Sequence, residues 1–238
     1  MKRRHSQRVE QLAKTKALLH IALGTLWLIA PHGQAATIDF ESVPVGTVYG
    51  IDGPHNPNDT VLVENGIEMS LAEFNLLGEP VDFENAIVGG RYADLFPSTP
   101  LELNRISVVF NFAAVGFDVS EVTFDYGNLG GIVNFAVNGG PIVEPDYLTL
   151  LPDGPGELAA DVTATVLGDT FSGVVTLTGP VAELLVGGEE LYIDNVTALP
   201  EPTALFLLGL GGAALIHRRG CKSTSHANTP GRARHASE

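Results

Sequence analysis

Between residues 37 and 198 the chain is a succession of short segments in which apolar residues either alternate with polar ones or run together. The segments "TIDF", "TVLVE", "GIEMSL", "RISVVFNF", "VTFDY", "IVNFAV", "YLTLL", "DVTATVL", "SGVVTLT" and "ELYIDNV" each read as a β-strand. Turn chemistry separates them: Asn65-Gly66, "GNLGG" at 127–131, "NGGP" at 138–141 and "PDGPG" at 152–156. The only modest helical candidate is "LAEFNLLG", residues 71–78. About ten short strands at this spacing predict an all-β domain, an antiparallel sandwich of the jelly-roll kind. No internal repeat or linker interrupts it, so residues 36–198 are read as one domain.

One change of parity stands out. Phe117 and Val119 share a face of their strand, whereas Val122, Phe124 and Tyr126 have the opposite parity. An extra residue at Ser120-Glu121 accounts for this, as a β-bulge or a short corner. A corner between the two sheets is the preferred expectation.

The pattern changes at both ends. Lys2, Arg3, Arg4, Arg8, Lys14 and Lys16 precede an apolar run at 17–30, and Pro31 and Gly33 break it. Small residues at Gly33 and Ala35 complete a secretory signal peptide, residues 1–35, with cleavage after Ala35. At the other end "TALFLLGLGGAALI", residues 203–216, is apolar throughout and is followed at once by His217, Arg218 and Arg219. As a helix it rises about 21 Å against a hydrocarbon core of roughly 30 Å, a short transmembrane helix at best. The arginines hold its far end on the cytoplasmic side. The domain is then outside the inner membrane and the basic tail, residues 221–238, inside.

Pro200-Glu201-Pro202, a short apolar helix and the Arg218-Arg219 pair, at 199–220, resemble the PEP-CTERM sorting signal of Gram-negative bacteria. The preceding "LYIDNV" is similar to the last strand that leads into such signals. The resemblance implies export by the secretion machinery and recognition of the tail by the membrane protease-transferase exosortase. It also implies a final place at the cell surface or in the extracellular, polysaccharide-rich matrix of a biofilm. Members of that family end just after the arginines; here "GCKSTSHANTPGRARHASE" continues.

Composition narrows the chemistry. Residues 36–202 carry two basic side chains, Arg91 and Arg105, against twenty-six Asp and Glu, a net charge of −24. Such a field repels phosphate backbones and anionic lipid, so nucleic acid is not an expected partner. His55 is the one histidine there. The single cysteine, Cys221, lies in the tail and Trp27 lies in the signal peptide. Cys-His catalysis, a lysine Schiff base and a zinc site therefore lack their residues, and a Ser-His-Asp triad would depend on His55 in a Gly/Pro/Asn loop. A non-catalytic binding or structural domain is the leading expectation.

Two chemistries survive. Calcium takes oxygen ligands and tolerates loose geometry. Ile38 and Phe40 face one way, which turns Asp39 and Glu41 the other, and Asp194 lies in the last strand. These three carboxylates form the candidate calcium set, by a loose likeness to carbohydrate-binding jelly rolls that join first and last strands through such an ion. The loop residues Asp52, Asn56, Asn58 and Asp59 form a second set, with a turn as the simpler reading. For glycans, Arg91 and Tyr92 in "GGRYADLF" are the best exposed candidates. The alternatives are a carboxylate-based glycoside hydrolase or lyase, and a plain membrane-anchored surface protein whose tail is only an anchor.

Overall fold

The computed structural model describes residues 34–93, 96–152 and 156–201. The signal peptide up to Gly33, and the C-terminal stretch that holds Pro202, the apolar run, Arg218 and Arg219, lie outside the described residues. The strands are β1 (Ala36–Ile38), β2 (Val48–Gly50), β3 (Thr60–Glu64), β4 (Ile67–Ala72), β5 (Phe74–Leu76), β6 (Glu79–Asp82), β7 (Asn85–Val88) and β8 (Leu101–Asn104). They continue with β9 (Ile106–Asn111), β10 (Val119–Asn128), β11 (Val133–Val137), β12 (Thr163–Gly168), β13 (Ser172–Thr178), β14 (Glu183–Gly188) and β15 (Leu191–Pro200). The described residues contain no α-helix, as the alternating pattern predicts.

Two antiparallel sheets carry the fold. The first runs β12-β13-β10-β15-β8-β7-β2, with β1 added to β15; the second runs β11-β14-β9-β4-β3. A separate hairpin pairs β5 with β6. Inward residues of both sheets enter one hydrophobic core, so the arrangement is sandwich-like. Phe124 of the first sheet stacks on Phe135 of the second with ring centroids 6.3 Å apart. The first and last strands of the described residues pair: β1 lies against β15, Ala36 opposite Ala198 and Ile38 opposite Val196.

Local chemistry explains the elements. Asn65 and Gly66 both take left-handed backbone (φ 49° and 84°), the tight turn that joins β3 to β4. The expected extra residue near Ser120 is present. Val119 pairs with Pro200 and Glu121 with Leu199, so Ser120 is a bulge. The preferred corner is corrected, because β10 stays in one sheet on both sides of it. The helical candidate at 71–78 is also corrected. Leu71 and Ala72 finish β4, Phe74–Leu76 is β5, and Leu77 and Gly78 turn through positive φ. Burial of Leu71 and Phe74 into sheet-bound positions overrides their weak 3.6-residue spacing. "YLTLL" is not a strand. It contains a 3-10 turn, Leu148–Leu150, in which Leu148 is buried and Leu150 is exposed.

A second bulge sits in β15. Thr123 pairs with Thr197 but Asp125 pairs with Asp194, leaving Asn195 as the extra residue with φ 52°. Asn is among the few residues that tolerate this conformation. The bulge re-aims the strand: Val196 and Ala198 belong to the core on one side of it, and Leu191 and Ile193 on the other. Asp194 and Tyr192 consequently point to the outer face of the first sheet.

Candidate functional site

That outer face is covered where β8, β15 and β10 lie side by side, by the segment joining β7 to β8. Its described residues Gly89–Ala93 and Phe96–Pro100 bring their own polar contacts. Glu102 of β8 is only 8% exposed; its carboxylate accepts from the Arg91 amide at 2.7 Å and from Asn104 Nδ2 at 3.1 Å. The Tyr192 hydroxyl accepts from the Tyr92 amide at 3.2 Å. Burial first, and then the charge and hydrogen bond of Glu102, hold the Tyr192 phenol well above its ordinary range. The Tyr192 ring is fully buried, stacked on Phe96 at 5.7 Å and met edge-on by Tyr92 at 6.3 Å. Arg91 lies over the exposed Tyr92 ring, 5.4 Å from its centroid.

One pleat further along, Asp194 is fully buried. The Ser98 hydroxyl donates to its Oδ2 and the Asn195 amide to its Oδ1, the latter at 2.7 Å. Asn195 Nδ2 donates to Asp125 Oδ2 at 2.8 Å, which ties the cross-strand carboxylate into the same cluster. Glu41 Oε1 accepts the Thr99 amide at 2.8 Å, so the first turn after β1 also pins this segment. Desolvation pushes Asp194 up to about 6; Ser98 and Asn195 pull against it, and the charges of Asp125 and Glu41 add to it.

Beside this cluster lies a groove of about 480 Å³, lined among others by Phe96, Asp125, Gly127, Phe171, Ser172 and Tyr192. Gly127 is required here: a Cβ on it would stand 2.5 Å from the Phe96 ring. Phe171, 61% exposed, closes the far side from the β12–β13 turn. That turn is stiffened by Asp169, whose Oδ1 accepts the amides of Phe171 at 2.8 Å and Ser172 at 2.9 Å. These two bonds hold the Asp169 carboxyl below its ordinary range.

The residues singled out from the sequence are distributed as follows. Ile38 and Phe40 are buried and Glu41 is exposed; β1 ends at Ile38, and Phe40 stands in the following bend with φ 58°, so the turn rather than strand alternation places Glu41. Glu41 and Asp194 come close enough to interact electrostatically. Asp39 is turned to its own chain, where Oδ1 accepts the Glu41 amide at 3.1 Å. Among the described residues no group of three or more His, Cys, Asp and Glu side chains is gathered at metal-holding distance. In the second loop set, Asp59 Oδ2 accepts the Asn56 amide at 2.7 Å and Asp52 Oδ2 accepts from Asn85 Nδ2 at 2.6 Å, contacts of a turn. Arg91 and Tyr92 flank the aromatic row without lining the groove. Ala35 is exposed one residue before β1, and Pro200 is the last residue of β15 with Glu201 exposed after it.

Sequence reasoning did not single out Phe96, Ser98, Asp125, Phe171 or Asn195. Asp125 could have been noticed as the charged position between Phe124 and Tyr126. Ser98 and Phe96 sit in a segment without periodicity and left no signal. No protein-family model matches this chain, and neither any curated protein nor any solved structure is detectably similar to it. The class defined by fold and site is therefore structural: an all-β, sandwich-like domain with an aromatic groove beside a buried carboxylate.

Proposed function

We propose that this chain is an exported protein of the cell surface or extracellular matrix, sorted by exosortase, whose jelly-roll-like sandwich binds rather than catalyses. The observation that carries the reading is the order of its C-terminal signals: Pro200-Glu201-Pro202, an apolar run at 203–216, then Arg218 and Arg219. Support comes from where the folded strands stop. Among the described residues the first strand begins at Ala36, the residue after the expected cleavage, and the last ends at Pro200. Residues 36–200 contain every strand of the described residues, the β1–β15 pairing included. The apolar helix would hold the protein in the inner membrane of a Gram-negative cell until processing. Replacing Arg218 and Arg219 together by glutamine tests this in the native host. Loss of the mature, shortened species from the outer fractions is expected; unchanged processing would remove the basis of the reading.

Asp194 also bears on the catalytic alternative. A carboxyl raised to about 6 beside a second carboxylate, Asp125, is the pattern of an acid and base pair. Asp194, however, is fully buried beneath Ser98 and does not line the groove. A general acid must come within hydrogen-bond reach of its substrate, which favours a positioning role for this residue. Calcium between the first and last strands is the remaining proposal. It rests on Glu41 and Asp194, with Asp39 engaged at its own turn. Calorimetric titration of calcium into wild type and Asp194→Asn tests it; heat lost in the variant supports the site, and no heat in either removes it.

A further inference from the structure

We infer that the groove beside Asp125 is a subsite for an amino sugar, a pyranose ring bearing a protonated amine, within a matrix polysaccharide. This deepens the binding function proposed above and rests on it. The walls are faces, not hydrogen-bonding edges. Tyr192 is buried behind Phe96, with its hydroxyl engaged by the Tyr92 amide and Glu102, so the faces open to a ligand are those of half-buried Phe96 and of Phe171, exposed on a turn fixed by Asp169. Aromatic faces carry negative electrostatic character and attract both the electropositive C–H face of a sugar and a cation. Gly127 lets the Phe96 ring lie against β10, and the groove beside it, about 480 Å³, falls within the range of roughly 300–1,000 Å³ usual for small-ligand sites.

Charge decides between sugars. Among the described residues Asp125 is the only charged one lining the groove. Behind it stand Asp194 and Glu41, close enough to act on one another electrostatically. Neither of the domain's two basic residues lines the groove, and residues 36–202 carry a net −24. A uronic acid would be repelled by this field. A neutral ring would stack but gain nothing from it. An ammonium group meets the Asp125 carboxylate and the aromatic faces at once.

The test is calorimetric titration of the full-length chain in mild detergent with three tetrasaccharides: β-1,4-linked glucosamine, its fully N-acetylated form, and a galacturonic acid oligomer. A lysine tetrapeptide serves as a non-sugar amine. The glucosamine oligomer is expected to bind at least about tenfold more tightly than the other three. Phe171→Ala, at an exposed position, and Asp125→Asn are each expected to weaken it about tenfold. Because Asp125 also accepts from Asn195, thermal unfolding of the Asp125→Asn protein is measured alongside, and Phe171→Ala stands as the variant without such a contact. Equal binding of the acetylated oligomer would overturn the amine assignment, equal binding of the peptide would overturn the sugar assignment, and binding of none would overturn both. Sorting of the chain, read by mass, is independent of all three results.

Discussion

Asp194 shows how one residue can stand between stability and binding. It is a carboxyl at the middle of the last strand, removed from water and surrounded by Ser98, Asn195, Asp125 and Glu41. Because its folded value is raised to about 6 from an ordinary 3.8, the folded state holds a proton that the unfolded chain has already lost. Its contribution to stability is therefore present below about pH 4 and is lost as pH rises through about 6. Relative to Asp194→Asn, the wild-type protein is expected to lose on the order of 2 kcal/mol between pH 4 and pH 7. Urea unfolding of both proteins across that range checks this; parallel curves would show that the Asp194 environment is misjudged. The exception to alternation was visible in "LYIDNV", an acid among apolar residues. Its surroundings were not, because Ser98 lies 96 positions away and reaches it through a segment with no periodic pattern.

At the scale of elements, most of the longer strands were legible and most of the short ones were not, although the six-residue β14, "ELLVGG", was missed and the three-residue β1 was read. "SGVVTLT" corresponds to β13 over its whole length, because its β-branched residues and the alternation of Val175, Thr176, Leu177 and Thr178 mark a strand. The three-residue β2 and β5 and the four-residue β7 and β8 carry too few positions for any period. β8 also buries a glutamate, which breaks the pattern for a local reason, the amide of Arg91. The Ser120 bulge was legible as a parity change, but only pairing with β15 distinguishes a bulge from a corner. The aromatic groove is built across three strands and two turns, and so no single stretch of sequence announces it. β1 gives the sharpest test at this scale. It contributes Ile38, and Phe40 follows, both fully buried. A chain beginning at residue 41 exposes the β15 edge and loses both side chains from the core, and is expected to be at least about 3 kcal/mol less stable than one beginning at Ala36. Denaturant midpoints of the two proteins decide it; equal midpoints would mean that β1 is not part of the cooperative unit.

For the whole molecule, the account joins a route to a surface. Residues 36–202 are strongly acidic and contain no lysine, and the first and last described strands, β1 and β15, pair with each other. The net charge of −24 over residues 36–202 is the basis for proposing a cationic matrix partner rather than nucleic acid or polyuronate. The most direct measurement is the intact mass of the protein from its native host, after separation into inner membrane, outer envelope and medium. The account predicts a species that begins at Ala36 and ends between Pro200 and Thr203, found outside the inner membrane. A full-length species confined to the inner membrane would contradict it and leave the chain as a membrane-anchored surface protein.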